Sequence, residues 1–271
     1  MQNNVKNGQI GLILLIIIGV VVAIVMSVAS RSLSDTVLSR QEKESSAAFA
    51  VAETGVEQAL NALRQGTVPS GTTSFTDSSG QLQGDFAVST TTSYGLYVRE
   101  GETAHLDLSG YNVANPLTIA WTRKIDPTEN ITGCTEGSQT TPAAIEVTAM
   151  QEGSNAVVRR YYNSSGCSST LSTSNSFTAS VDGGSTYLSR VSGAGYTVPA
   201  GTTALRIKPI YAGATISVSG SGLQNQLYLI QSKASGGDAR KEIEVKRGLD
   251  APPSIFDYAV FAGGTIVKEV L

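Results

Sequence analysis

The residue types that support catalysis are few in this sequence. The chain has one histidine, His105, two cysteines and 22 acidic residues among 271, too few soft ligands for a zinc site. It contains no Gly-x-Ser-x-Gly nucleophile elbow and no phosphate-binding loop. A carboxylate pair in a cleft would indicate an extracellular glycoside hydrolase, and Asp107, Glu146 and Glu152 are candidates. Their spacing selects no pair, so we expect a protein that is not an enzyme and has no cofactor or metal site.

The two cysteines, Cys134 and Cys167, each follow a glycine, which predicts exposed turns. If this part of the chain lies outside the cell, the cysteines are expected to pair in a disulfide. Such a bond would close a loop of about 33 residues and stabilise the fold by roughly 3–4 kcal/mol. Two buried free thiols are the alternative.

Charge is sparse. Charged residues make up 15% of the chain and the formal net charge is −3. Lysine and arginine form no dense run, so no specific nucleic-acid partner is expected. The charges between Arg31 and Glu44 are typical of a helix surface.

Residues 9–30 form the most apolar segment of the sequence. Ile10 to Ala29 supply roughly the 20 residues that a helix needs to cross a bilayer, interrupted only by Gly11, Gly19 and Ser27. A secretory signal has a shorter apolar centre and a more basic front. A cleavage site at Ser27–Ala29 stays possible by composition, but a transmembrane helix is the better prediction.

Residues 31–65 predict an amphipathic extension of the same helix. This segment has no proline before the terminator sequence RQGTVPSG. Small residues recur every three or four positions and form a small-residue stripe, and larger apolar residues form a ridge beside it. The stripe consists of Ala48, Ala52, Gly55, Ala59 and Ala62, and the ridge of Phe49, Val56, Leu60 and Leu63. We expect the ridge to pack on the following β domain and the stripe to admit a second surface, such as a neighbouring helix.

Residues 6–64 resemble the N-terminal region of type IV pilins, and more narrowly the PilX-type minor pilins. The segment KNGQIGLILL is similar to a prepilin leader followed by its apolar helix. Within the outer helix the chain matches an Ala-Phe-x-x-Ala-Glu-x-Gly pattern at Ala48, Phe49, Ala52, Glu53 and Gly55.

The resemblance implies cleavage by a prepilin peptidase. Residues 1–8 would be the leader, cut after Gly8, and Gln9 would become the methylated amino terminus. Major pilins usually carry a glutamate at the fifth mature position, where this chain has Ile13. A minor pilin or a pilus-tip subunit is therefore implied rather than the main filament subunit.

Residues 66–271 predict an all-β head. Turn signals recur every 8 to 12 residues or so, between segments rich in β-branched and aromatic residues. This pattern favours an antiparallel β-sandwich of jelly-roll type, so the predicted fold class is α+β. A sandwich at 94–221 is expected to be inserted into, or appended to, a smaller sheet that packs on the helix.

The leading functional hypothesis is a minor pilin of a type IV pilus or a related secretion filament. Its expected partners are the cytoplasmic membrane of a prokaryote before assembly, the prepilin peptidase, other pilin subunits and a surface or cell ligand. The head would lie outside the cell and become extracellular in the assembled pilus. The alternative is a membrane-tethered β-sandwich adhesin or cell-wall-binding protein that never enters a filament.

Overall fold

The computed structural model describes residues 7–77, 80, 82–122, 134, 141–151 and 157–250. Most of the predicted leader, Glu152 and residues 251–271 of the predicted head lie outside these described residues. The elements in chain order are α1 (Asn7–Arg64), β1 (Thr72–Thr76), β2 (Gln83–Thr91), β3 (Tyr94–Val98), β4 (Ala104–Asp107), β5 (Thr118–Thr122), β6 (Ala144–Gln151), β7 (Val157–Asn163), a 3-10 turn (Ser165–Cys167), α2 (Ser168–Asn175), β8 (Thr178–Ala179), β9 (Val181–Asp182), β10 (Ser189–Arg190), β11 (Thr202–Ile210), β12 (Ala214–Ser219), β13 (Leu227–Gly236) and β14 (Ala239–Gly248).

Helix α1 is continuous over 58 residues, from the apolar segment into the amphipathic one. It ends because Gly66 takes a left-handed conformation, with φ +74°. The backbone N–H of Thr67 then donates to Ala62 O at 3.0 Å, and that of Gly66 donates to Leu63 O at 3.1 Å. These two bonds satisfy carbonyls that the last turn would otherwise leave without donors.

The chain divides into two compact units. The first contains the residues up to Val88 together with Gln231–Glu244. The second contains Ser89–Ile230 and the residues after Glu244, so most of it is inserted into the sequence of the first. For this inserted part of the chain the sequence predicted a sandwich over residues 94–221.

The sheet of the first unit has the strand order β1-β2-β13-β14. Strands β1 and β2 pair antiparallel, with Thr72 opposite Ala87. The tight turn between β13 and β14 uses Gly237 at φ +58°, a conformation that glycine adopts without strain. Val51 and Ala52 of α1 form a core cluster with Ala234 of β13.

The second unit contains two five-stranded sheets, with the orders β3-β12-β5-β10-β9 and β4-β11-β6-β7-β8. Its pairings are antiparallel except for the short β7–β8 pair. Alternate residues of both sheets enter one core, including Trp121 and Ile216 from the first sheet and Leu205 and Ile207 from the second. The buried indole Nε1 of Trp121 donates to Ala143 O at 2.7 Å, so its polar atom is satisfied.

At this level the α+β prediction is confirmed: one long apolar N-terminal helix precedes sheets that are mainly antiparallel. The period-two alternation of apolar residues explains the agreement, because it assigns one side of each strand to the core. In β6, for example, Ile145, Val147 and Ala149 all face that core.

Cys134 and Cys167 form a disulfide, with their Cα atoms 5.3 Å apart. The expectation that both cysteines occupy exposed turns is wrong for Cys167, which is fully buried. The reason is that the 3-10 turn is held inward: Ser165 donates its backbone N–H to Ser189 Oγ at 2.9 Å and its hydroxyl to Leu188 O at 2.8 Å.

Replacing both cysteines by serine should lower the free energy of unfolding by roughly 3–4 kcal/mol, because the unfolded chain regains the entropy of an open loop of about 33 residues. Denaturant unfolding of the detergent-solubilised protein, followed by the fluorescence of its one tryptophan, measures the change. The reduced parent protein is the control and should match the variant. An unfolding midpoint equal to that of the oxidised parent would contradict this prediction.

Candidate functional site on the long helix

The N-terminal part of α1, from Gly11 to Lys43, carries no packing partner among the described residues. Every residue from Gly11 to Lys43 is exposed, including large apolar side chains such as Leu12, Ile16 and Val25. By length and composition the helix is sufficient to cross a membrane. The predicted cleavage positions Gly8 and Gln9 both lie in the first turn of this helix.

The small-residue stripe of the outer helix packs on the sheet of the first unit. Ala48, Ala52 and Ala59 are completely buried. A Cβ added to Gly55 would overlap Ser232 Oγ and would lie 2.8 Å from the Phe75 ring. Glycine is therefore required at this position by the closeness of helix and sheet, and not by a special backbone conformation.

Phe75 of β1 lies in a slot between two glycines. One is Gly55 of α1, and the other is Gly84 of the adjacent strand β2, where an added Cβ would also overlap the ring. The ring contacts Phe86 as well, with the centroids 6.2 Å apart. The slot fixes the position of the helix on the sheet because no larger residue fits on either side.

The larger ridge is divided by the structure. Val56 and Leu63 are buried, Leu60 is partly buried, and Phe49 is 46% exposed. The sequence assigned the ridge to the β domain and left the small-residue stripe for a neighbouring helix. In the structure the stripe supplies the centre of the contact, because the smallest side chains permit the closest approach.

Ser232 is a buried polar residue in this contact. It is fully buried, and its hydroxyl has no hydrogen-bond partner among the residues that the structure describes. An unsatisfied buried hydroxyl costs about 1–3 kcal/mol, so this residue limits the stability of the helix–sheet contact.

Glu44 joins α1 to the turn between β13 and β14. One carboxylate oxygen accepts the backbone N–H of Asp238 at 3.4 Å, and the other accepts Arg40 Nε at 2.7 Å. The hydrogen bond from Arg40, followed by that from Asp238, lowers the pKa of Glu44. Sequence reasoning treated Glu44 as an ordinary surface charge. Nothing local in the sequence links this position to the turn, because Glu44 and Asp238 are 194 residues apart.

Of the carboxylates considered for hydrolysis, the two that the structure describes, Asp107 and Glu146, are not brought together. Asp107 lies opposite Ala204 of β11 and accepts the N–H of Ser109 at 2.8 Å. Glu146 lies on the other side of β11, opposite Lys208. The β11 residues opposite these two carboxylates, Ala204 and Lys208, are four positions apart, or about 13 Å along the strand.

Glu146 is buried and committed to local contacts. It accepts the Thr148 hydroxyl at 3.1 Å and lies 3.5 Å from Arg159 Nε. The single histidine, His105, lies opposite Arg206 in the same sheet. Among the described residues, no group of three or more His, Cys, Asp and Glu side chains is arranged to hold a metal ion.

Comparisons of this chain with protein-family models, with curated proteins and with solved structures find no match.

Gly55→Ala should lower the free energy of unfolding by about 1–3 kcal/mol, because the added methyl group overlaps Ser232 and Phe75. The sign of the change in stability distinguishes a close contact from an open helix, since the same substitution in an open helix stabilises by about 1 kcal/mol. Thermal unfolding monitored by circular dichroism provides the measurement. Thr54→Ala, one position away on the exposed side, is the control and should not destabilise.

Ser232→Ala should leave stability unchanged or raise it, because it removes the unpartnered hydroxyl. In combination with Gly55→Ala it should recover part of the lost stability, since one of the overlapping atoms is gone. A double-mutant cycle measures this coupling. Strictly additive effects would show that the two residues do not interact.

Glu44→Gln should destabilise the protein at pH 7, and the difference from the parent should shrink as the pH falls through the lowered pKa of Glu44. A carboxyl whose folded pKa is lowered contributes stability above its unfolded pKa and loses it as pH falls through the folded value. Unfolding of the parent and the variant across this pH range tests the sign. A difference that does not change with pH would assign the effect to packing and not to the charge of Glu44.

Proposed function

We propose that this protein is a minor pilin, a structural subunit of a type IV pilus or a related secretion filament. Helix α1 would anchor the chain in the cytoplasmic membrane of a prokaryote, with the β-rich part outside the cell. After a prepilin peptidase cleaves behind Gly8, the subunit would leave the membrane and enter a filament through its helix. The protein would be non-catalytic and need no cofactor.

The observation that carries this proposal is the form of α1. Its apolar segment continues without a break into the segment packed on the sheet. A chain that broke near Ser27 to Ser34, or an outer helix enclosed on all sides, would leave no surface for stacking. Here the residues from Gly11 to Lys43 are exposed, and only one side of the outer helix is buried.

The energetics of an uncharged membrane segment suit reversible assembly. Lipid and neighbouring helices both offer an apolar surrounding, so transfer of α1 between them changes little hydrophobic free energy. Ile13 stands where major pilins usually carry a glutamate, so no buried carboxylate needs a partner in the membrane. This composition suits a minor or tip subunit.

For the second unit we propose a β-sandwich, jelly-roll-like head that contacts a surface or another cell. Two features support this assignment: its two five-stranded sheets share one core, and its disulfide suits an oxidising location outside the cell. The net charge of −3 does not favour nucleic acid as the ligand.

A membrane-tethered adhesin or cell-wall-binding protein is the second candidate. One observation favours it: the small-residue stripe, a surface suited to a neighbouring helix, is occupied by the protein's own sheet. A tethered protein would keep its leader. Deletion of the whole protein would then leave the number of pili on the cell unchanged.

Mass spectrometry of the mature amino terminus distinguishes these candidates. We expect a chain that begins at methylated Gln9 and that is recovered with filaments sheared from the cell surface. Gly8→Ala serves as the matched variant and should accumulate uncleaved in the membrane. An intact Met1 would support the tether, and a start at Ser30 would identify the apolar segment as a secretory signal.

A further inference from the structure

Three aromatic rings form a cluster at the surface of the second unit. Phe177, which immediately precedes β8, stacks on Tyr161 of β7 with the ring centroids 5.0 Å apart and on Tyr211 with the centroids 6.4 Å apart. The ring planes differ by 21° and 23°, so the rings are nearly parallel. All three residues are half-buried, and none belongs to the core that the two sheets share. We call these three rings the aromatic platform.

Hydrogen bonds hold the middle ring of the platform in place. The backbone N–H of Phe177 donates to Asn175 Oδ1 at 3.0 Å, and its carbonyl accepts the Ser172 hydroxyl at 3.2 Å. Asn175 exchanges two amide hydrogen bonds with the completely buried Asn163, at 2.8 and 3.0 Å. It also donates to the Tyr211 hydroxyl at 3.1 Å. Because the rings are already ordered, a ligand would bind them with little loss of side-chain entropy.

The turn between β11 and β12 presents one ring of the platform and lies against a fourth ring. Tyr211 has φ +72° in this turn, a left-handed conformation that is strained for a bulky residue and that glycine adopts freely. Two residues further on, a Cβ added to Gly213 would overlap the hydroxyl of Tyr97 in β3. Tyr97 is 46% exposed. The turn therefore brings a further exposed aromatic residue close to the platform, at a cost in backbone strain that is typical of functional sites.

The segment that carries Phe177 is polar but uncharged. From Thr170 to Val181 it consists mainly of serine and threonine and contains no ionisable side chain. Beside Tyr161 the neighbouring charges pair with each other, since Glu146, which lies opposite Tyr161, is 3.5 Å from Arg159 Nε. Aromatic rings among hydroxyl and amide groups, without a free charge of one sign, favour a neutral polar ligand over an ionic one.

We propose that the aromatic platform binds an uncharged polysaccharide. A sugar ring has an apolar face of C–H groups, which packs on aromatic rings, and a rim of hydroxyl groups, which bond to amide and hydroxyl side chains. The platform and the serine- and threonine-rich segment around it supply both kinds of partner. This assignment rests on the proposed role of the second unit as a head that contacts a surface or another cell, and it names the class of ligand on that surface.

Binding of the full-length, detergent-solubilised protein to immobilised polysaccharides tests the platform. The neutral probes are dextran, mannan and galactan. Heparin represents acidic polysaccharides, and a Pro-x-x-Pro peptide represents the other ligands that aromatic-lined grooves bind. We expect binding to at least one neutral polysaccharide, with an affinity that added salt does not weaken, because no ion pair is involved. Binding to none of the three, or only to heparin or the peptide, would overturn the proposal.

Substitutions at the middle ring locate the binding site. Phe177→Leu keeps an apolar side chain in place but removes the aromatic face, and it should weaken binding about three- to ten-fold. Phe177→Tyr retains the ring and should bind as the parent does. The matched control is Tyr228→Ala, which removes a half-buried ring of β13 outside the platform and should not change the affinity. Circular dichroism confirms that each variant is folded, and parental affinity in Phe177→Leu would overturn the platform as the site.

Adhesion of whole cells separates the platform from the proposed function. Cells that produce the protein naturally, a deletion strain and a Phe177→Leu strain are compared on a surface coated with the polysaccharide bound by the purified protein. We expect both changes to reduce adhesion, while filaments sheared from the Phe177→Leu strain still contain the protein. Reduced adhesion in the deletion strain alone would overturn the platform and leave the head role intact. Unchanged adhesion in both strains would overturn the head role and the platform together.

Discussion

The close approach of α1 to its sheet at Gly55 is the constraint on which the first unit depends. The absence of a side chain at Gly55 leaves room for the ring of Phe75, and the absence of one at Gly84 leaves room on its other side. Dispersion contacts are significant only at short range, so small residues on the helix give a tighter contact than large ones. The completely buried Ala48, Ala52 and Ala59 extend this contact along the helix.

Because of this close contact, different parts of the surface of α1 have different surroundings. One side of the outer helix is committed to the protein's own sheet, and Glu44 marks the point where that contact begins. From Gly11 to Lys43 the helix is exposed on every side, which suits immersion in lipid or contact with other helices. The opposite side of the outer helix, with Phe49, is exposed. A continuous helix thus presents different surfaces at different heights without any break in its backbone.

Most of the secondary structure follows from local patterns. The apolar run, the absence of proline and the terminator near Gly66 predicted one long helix, because each acts within a few residues of the chain. The alternation of apolar residues predicted a β-rich remainder in the same way. The pairing of Cys134 and Cys167 followed from the count of cysteines, since two cysteines allow one bond. Sheet orders did not follow, because strand neighbours such as β2 and β13 are far apart in sequence.

By itself the sequence determined which residues of α1 are apolar, which are small and where the helix ends. Only the tertiary structure decided which apolar face is buried. Both the small-residue stripe and the ridge with Phe49 fit the helical period, and a helical pattern alone does not distinguish a partner within the chain from one outside it. The choice depends on Phe75 and Ser232, which belong to strands remote in sequence. Close packing selected the stripe because Gly55 is the position that leaves room for them.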